Sequence, residues 1–325
     1  MRAYDLEVTG SLKISGDITA RSYVIQNTTT HMTTSFASGS TIFGDSGDDT
    51  HQFTGSLFIS GSRIGFTNPS RNIFFGDETG DLVTGADNTF LGYRAGYSAD
   101  TDGSNTGLQN VIIGSKAVGN NQGQYAEAFD MTGTVAIGYQ VLKNGAGSSN
   151  SVVIGSQAAD AVTSTDNLVI IGSGAGSAIN SGDADGTVAI GYQAGYAITS
   201  GQGNVAIGYG ALDAEDDGDF NTAIGYAALS AQTGTAGEMG STAMGYKAGT
   251  SLTTGKGNTL LGYDAGRYQT TQTYNTVVGW QSSKRNYKGE HRVTIGAEAG
   301  HYSTGSYNTF IGAQAGQGGT TSAPF

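Results

Sequence analysis

The stretch NVAIGYGALDAEDDGDFNTAIGYAAL, residues 204–229, holds nearly the same nine residues twice, seventeen positions apart. Extending this apolar-Gly step in both directions gives fourteen units, from NIFFG at Asn72 to NTFIGAQAG at Asn308. The units between include NTFLGYRAG at Asn88, TVAIGYQVL at Thr134, TVAIGYQAG at Thr187 and NTLLGYDAG at Asn258. The aligned glycines are 17 residues apart in seven of thirteen intervals and 16 in two more. A fixed period decides architecture. Seventeen residues are too few for a helix pair, and suffice for two short strands and two turns. One such coil stacked on the next is a β-solenoid. At about 4.8 Å per coil, fourteen coils span roughly 65 Å.

In NVAIGY, Val205, Ile207 and Tyr209 point one way, and Ala206 and Gly208 the other. The third position reads Phe90, Ile112, Ala136, Val153, Ile170, Ala189, Ala206, Ala223, Ala243, Leu260, Val277, Thr294 and Phe310, apolar in twelve of thirteen. A strand apolar on both faces is buried on both. A thin coil has only one interior, so the second dry face calls for another copy of the chain. The trimer or solenoid core is expected at Ile137, Gly138, Ile190, Gly191, Ile207, Gly208, Ile224, Gly225, Leu261, Gly262, Ile311 and Gly312. The glycine of each unit suggests a left-handed backbone or a close neighbour. Asn recurs at the strand start (Asn88, Asn204, Asn221, Asn258, Asn275, Asn308), which suggests an amide ladder. Tyr209, Tyr226 and Tyr263 suggest an aromatic one.

Composition agrees with an all-β chain. There are 54 Gly and 2 Pro in 325 residues. Gly-rich, Pro-poor chains with many short apolar runs read as strands and turns. The net charge of −12 disfavours nucleic acid and anionic lipid, which need Lys and Arg. Cys is absent, so no disulfide framework is expected. No apolar run approaches a membrane span, so no membrane insertion is expected.

The N-V-A-I-G units resemble the head repeats of YadA-like trimeric autotransporter adhesins. The variants with Tyr after Gly, such as NTAIGYAAL, are similar to repeats in bacteriophage tail-fibre proteins. The resemblance covers about residues 72–316. It implies a left-handed parallel β-roll of about 14 short coils with three chains about one axis. Residues 1–70 carry TGSLKISG and TGSLFISG, which look like the N-terminal parts of phage fibres. They are expected to form an intertwined β region for attachment to other virion proteins. Residues 71–316 are the solenoid and 317–325 a tail. No signal peptide, coiled-coil stalk or anchor like those of the adhesins is expected, which favours a virion appendage on tail, neck or head, assembled in the host cytoplasm. The alternatives are a cell-surface or secreted trimeric adhesin, a glycan depolymerase and, remotely, an ice-binding solenoid.

Candidate sites each have a plain structural alternative. The aromatic column Tyr93, Tyr139, Tyr192, Tyr209, Tyr226, Tyr246, Tyr263 and Trp280 could stack on host glycan, or simply stabilise neighbouring coils. The acidic run Asp213, Glu215, Asp216, Asp217 and Asp219 could hold Ca²⁺, as could Asp45, Asp48 and Asp49; a solvated turn is the simpler reading, and otherwise no cofactor is expected. Lys284, Arg285, Tyr287, Lys288, His291 and Arg292 form one basic cluster, suited to an acidic partner or a solvated strand. In the stretched connector at residues 119–133, Tyr125 and Phe129 are candidate contacts to a host glycan or protein. The four His show no metal-ligand spacing, and no nucleophile elbow or phosphate loop occurs, so an enzyme is not expected.

Overall fold

The computed structural model describes residues 70–80, 83–97, 106–119, 130–145, 147–234, 237–285 and 288–318. They belong to the compact unit Ile64–Phe325. The expected attachment region, Tyr125, Phe129 and Tyr287 lie outside the described residues, as do Asp45, Asp48 and Asp49. Fourteen three-residue strands form one parallel sheet, in strict chain order. They are Ile73–Phe75, Thr89–Leu91, Val111–Ile113, Val135–Ile137, Val152–Ile154, Val169–Ile171, Val188–Ile190, Val205–Ile207, Thr222–Ile224, Thr242–Met244, Thr259–Leu261, Thr276–Val278, Val293–Ile295 and Thr309–Ile311. Equivalent residues pair directly, as in Ala206 with Ala223 and Ala223 with Ala243. The chain is therefore an all-β parallel solenoid of about thirteen turns. Among the described residues the only helical piece is a single 3₁₀ turn, Gly182–Ala184.

Two strands per coil were expected; most coils form one, and a short second strand occurs at Gly218–Asp219 and Gly237–Glu238. The rest of the return path is built from turns. After each strand, a glycine near φ +130° is followed at two and four positions by further left-handed residues, such as Ala227 and Leu229, both at φ +50°. Twenty-seven non-glycine residues among those described have positive φ, where a few per cent is usual. The strain, about 1–2 kcal/mol per residue, is offset by hydrogen bonding. Ala227 N–H donates back to the Tyr209 carbonyl at 2.9 Å, and Leu229 N–H forward to Ala248 at 3.1 Å. Left-handed residues thus aim backbone amides along the stack without an extended strand. Besides the main sheet, the described residues hold one short parallel pair, Gly218–Asp219 with Gly237–Glu238.

The interior is narrow and continuous, and its volume is shared along the chain. The middle strand residue faces inward and is fully buried in coil after coil. In several coils where it is large the residue six positions on is Gly, as Phe90 with Gly96 and Leu260 with Gly266, whereas Ile112 is followed by Val118. A Cβ on Gly96 would sit 2.4 Å from the Phe90 ring. Where it is Ala, a Leu can follow: Ala206 with Leu212, Ala223 with Leu229, all fully buried. Close packing favours one large residue of the two, and where both are small, as Ala189 with Gly195, buried Ile198 fills the space. Leu229→Ala is expected to destabilise the chain by about 2–5 kcal/mol in denaturant titration. Ala223→Leu with Leu229→Gly rebuilds the Leu260–Gly266 combination and should recover most of that loss. Towards the C-terminus the interior turns polar. Thr294 takes the middle position, and its Oγ1 meets Ser283 Oγ at 2.9 Å.

Candidate functional surface

Each strand shows a half-buried, buried, half-buried pattern in most coils. The inner position belongs to Ala206, and Val205 and Ile207 face outward. Ile137, Ile190, Ile207, Ile224 and Leu261, expected in a trimer or solenoid core, thus stand outside the solenoid interior, half-buried, and Ile311 is exposed. The outer face carries an apolar row the length of the sheet. Runs of this extent are rare on a solvated monomer surface.

Beside that row stands the tyrosine column. Tyr192, Tyr209, Tyr226, Tyr246 and Tyr263 stack ring on ring, with centroids 5.0–5.4 Å apart. Both ring faces of Tyr209, Tyr226 and Tyr246 are occupied by neighbouring tyrosine rings. Edges and hydroxyls remain, so sugar stacking on the ring faces is blocked along this stretch. Tyr209 and Trp280 are nonetheless about half exposed, at 52% and 50%. A second column, not singled out from the sequence, stands at the residue before the strand-start Asn. There Tyr274, His291 and Tyr307 lie 5.1 Å apart in turn. The signal was available: these residues share one place in the repeat.

The side-chain amide ladder that was expected joins the first coils, where Asn88 Nδ2 donates to Asn72 Oδ1 at 3.2 Å and Asn110 Nδ2 to Asn88 Oδ1 at 3.1 Å, and a ladder to the backbone runs on beyond them. The side-chain oxygen of one coil mostly accepts from the backbone N–H at the same place in the next. Asn204 Oδ1 accepts from Asn221 N–H at 2.9 Å, and Asn258 Oδ1 from Asn275 N–H at 3.0 Å. The amide nitrogen donates to a backbone carbonyl ahead, as Asn258 Nδ2 does to Gln272 at 2.8 Å. Ser241 and Ser151 substitute a hydroxyl as acceptor, towards Asn258 and Leu168.

The basic cluster does not present a single charged patch. Arg292 is buried, with 1% exposed, at the place Asn holds elsewhere. Its guanidinium donates to the carbonyl and hydroxyl of Ser303 and lies over the Phe310 ring. Burial without a carboxylate pushes it down to about 10. It is therefore not a surface contact residue. Lys284 Nζ lies 2.7 Å from a carboxylate oxygen of buried Asp264, which also meets Arg267 at 3.3 Å. Arg285 lies over the Tyr302 ring, and Lys288 is exposed.

The acidic turn departs most from a solvated loop. Glu215 is fully buried. Its Oε1 accepts from the backbone N–H groups of Asp216 at 3.2 Å, Gly218 at 2.9 Å and Gly234 at 2.8 Å. Burial pushes its carboxyl above the usual range, and these N–H donors pull it back in part. Asp216 is exposed and Asp217 half-buried. Among the described residues this is the one place where three acidic or imidazole groups converge, and no helix is long and apolar enough to cross a membrane. Comparison with protein-family models, curated proteins and solved structures gives no match.

Proposed function

We propose that this chain is the structural fibre protein of a bacteriophage virion, a homotrimer whose rod carries host-surface contacts. The supporting observation is the apolar outer row of the sheet, with Ile207 and its equivalents half-buried in a single chain. Three chains of a left-handed β-roll packed about one axis would cover it. Burial of apolar surface, at about 25 cal/mol per Å², drives the association, and the stacked coils keep the rod stiff. Attachment to other virion proteins is assigned to residues 1–70, which carry TGSLKISG and TGSLFISG. Loops presented three at a time let weak contacts with a host glycan or protein sum by avidity.

The trimer is tested by native mass spectrometry of the full chain. The expected species has three times the 33.1 kDa chain mass. Ile207→Glu with Leu261→Glu places charges on the outer row and leaves the solenoid interior untouched. This variant should run as a monomer with an unchanged circular dichroism spectrum. A wild-type monomer, or a trimer unaffected by the two charges, would overturn the assembly. Antibodies against the chain should label appendages on virions; label confined to the host-cell surface would favour the adhesin alternative.

A further inference from the structure

Glu215 raises a problem of charge. Its Oε1 is fixed by three backbone N–H donors, an arrangement that suits a carboxylate. Its Oε2 is buried and has no hydrogen-bond partner. A buried carboxylate oxygen left in this way costs several kcal/mol unless a proton or a cation compensates it. Protein cations do not: the four ion pairs among the described residues involve Arg71, Arg94, Arg267 and Lys284, all with other acids. Yet Glu215, Asp216 and Asp217 each place a carboxylate oxygen within 4.8 Å of the other two.

The turn is also held still. The Asp216 carbonyl accepts from Thr199 N–H at 2.8 Å and from Thr199 Oγ1 at 3.0 Å, one coil earlier. Glu215 reaches Gly234, one coil later. Gly218–Asp219 pairs with Gly237–Glu238. Three acidic groups are thus fixed between two neighbouring coils, at the point where the regular 17-residue spacing stretches to 20 between Gly225 and Gly245.

We propose that Glu215, Asp216 and Asp217 bind one calcium ion per chain, which joins this turn to the stretched coil that follows. The donors are all oxygen, which selects a hard cation over zinc or copper. Three carboxylates from consecutive residues leave the remaining positions to carbonyls and water, an irregular oxygen coordination that Ca²⁺ tolerates better than Mg²⁺. Glu215 Oε2 is the buried ligand; Asp216 and Asp217 close the site from the solvent side.

The test uses the full chain, freed of metal with a chelator and titrated with CaCl₂ by calorimetry and by thermal melting. Wild type is expected to bind one Ca²⁺ per chain, with Kd in the range of about 10⁻⁶ to 10⁻³ M, and to melt higher when loaded. MgCl₂ should produce at most a small fraction of that shift. Asp216→Asn changes an exposed side chain, so it should fold as wild type and bind Ca²⁺ at least about tenfold more weakly. Glu215→Gln keeps an oxygen for the three N–H donors and should melt close to metal-free wild type, without a calcium response. No binding by wild type at about 10 mM CaCl₂ would overturn the site. So would binding equal to wild type in both variants, since the ion would then sit elsewhere.

Discussion

Gly208→Ala is expected to destabilise the solenoid by about 3 kcal/mol or more. Two causes act together. Gly208 sits at φ +134°, a backbone region that side chains rarely enter. A Cβ there would also lie 2.4 Å from the carbonyl oxygen of Gly225. That oxygen belongs to the backbone of the next coil, which repeats the same glycine, so neither partner can yield without opening the stack. The comparison variant is Gly240→Ala. Gly240 is also left-handed, at φ +56°, but a Cβ there meets nothing within 4 Å. Phe220 and Tyr274 hold the same place in other coils at φ +58° and +55°. Its cost should stay near 1 kcal/mol. Denaturant titration of the two variants separates close approach from backbone strain. Equal losses would show that the column of glycines is needed for conformation alone.

The second large effect is expected at the ladder. Asn258→Ala removes the acceptor for the Asn275 N–H and the donor to the Gln272 carbonyl, both from a buried side chain. Each buried hydrogen bond left unmade costs about 1–3 kcal/mol, so the loss should reach roughly 2–4 kcal/mol. Asn258→Ser should lose about half as much, because Ser241 and Ser151 already supply a hydroxyl acceptor at this place. Because coils in a solenoid depend mainly on their neighbours, the damage should be local. Hydrogen exchange should therefore speed up first at Asn275 and the amides of the adjoining coils, while distant coils keep their protection. Uniform loss of protection along the chain would contradict a stack held coil by coil.

Which parts of this were legible in advance follows from the period. Residues that recur at one place in the repeat do one job, so the Asn ladder, the Gly208 column and the Tyr209 column could be read from spacing alone. Arg292 belonged to the same readable set. From its charge it was expected to be a contact or solvated residue, whereas its register, the place of a buried Asn, was the better guide. The volume exchange between Ala223 and Leu229, or Leu260 and Gly266, is likewise written along the chain, though it becomes meaningful only once the six-residue offset is seen to span the interior.

Other features depended on the third dimension. Alternation gave Val205, Ala206 and Ile207 two faces; the turn after Gly208 decided that Ala206 lies inside and Ile207 outside. Most of the return path does without a strand because left-handed residues such as Ala227 already aim their amides at neighbouring coils. Glu215 read as one member of a solvated acidic run. Its burial comes from the Gly234 amide nineteen residues later, in a coil whose length departs from the period. The sequence by itself determined the repeat, the parallel register and the small interior, because these follow from local spacing. Only the tertiary structure decided which face is dry and which acid is buried, because both depend on where a later part of the chain comes to rest.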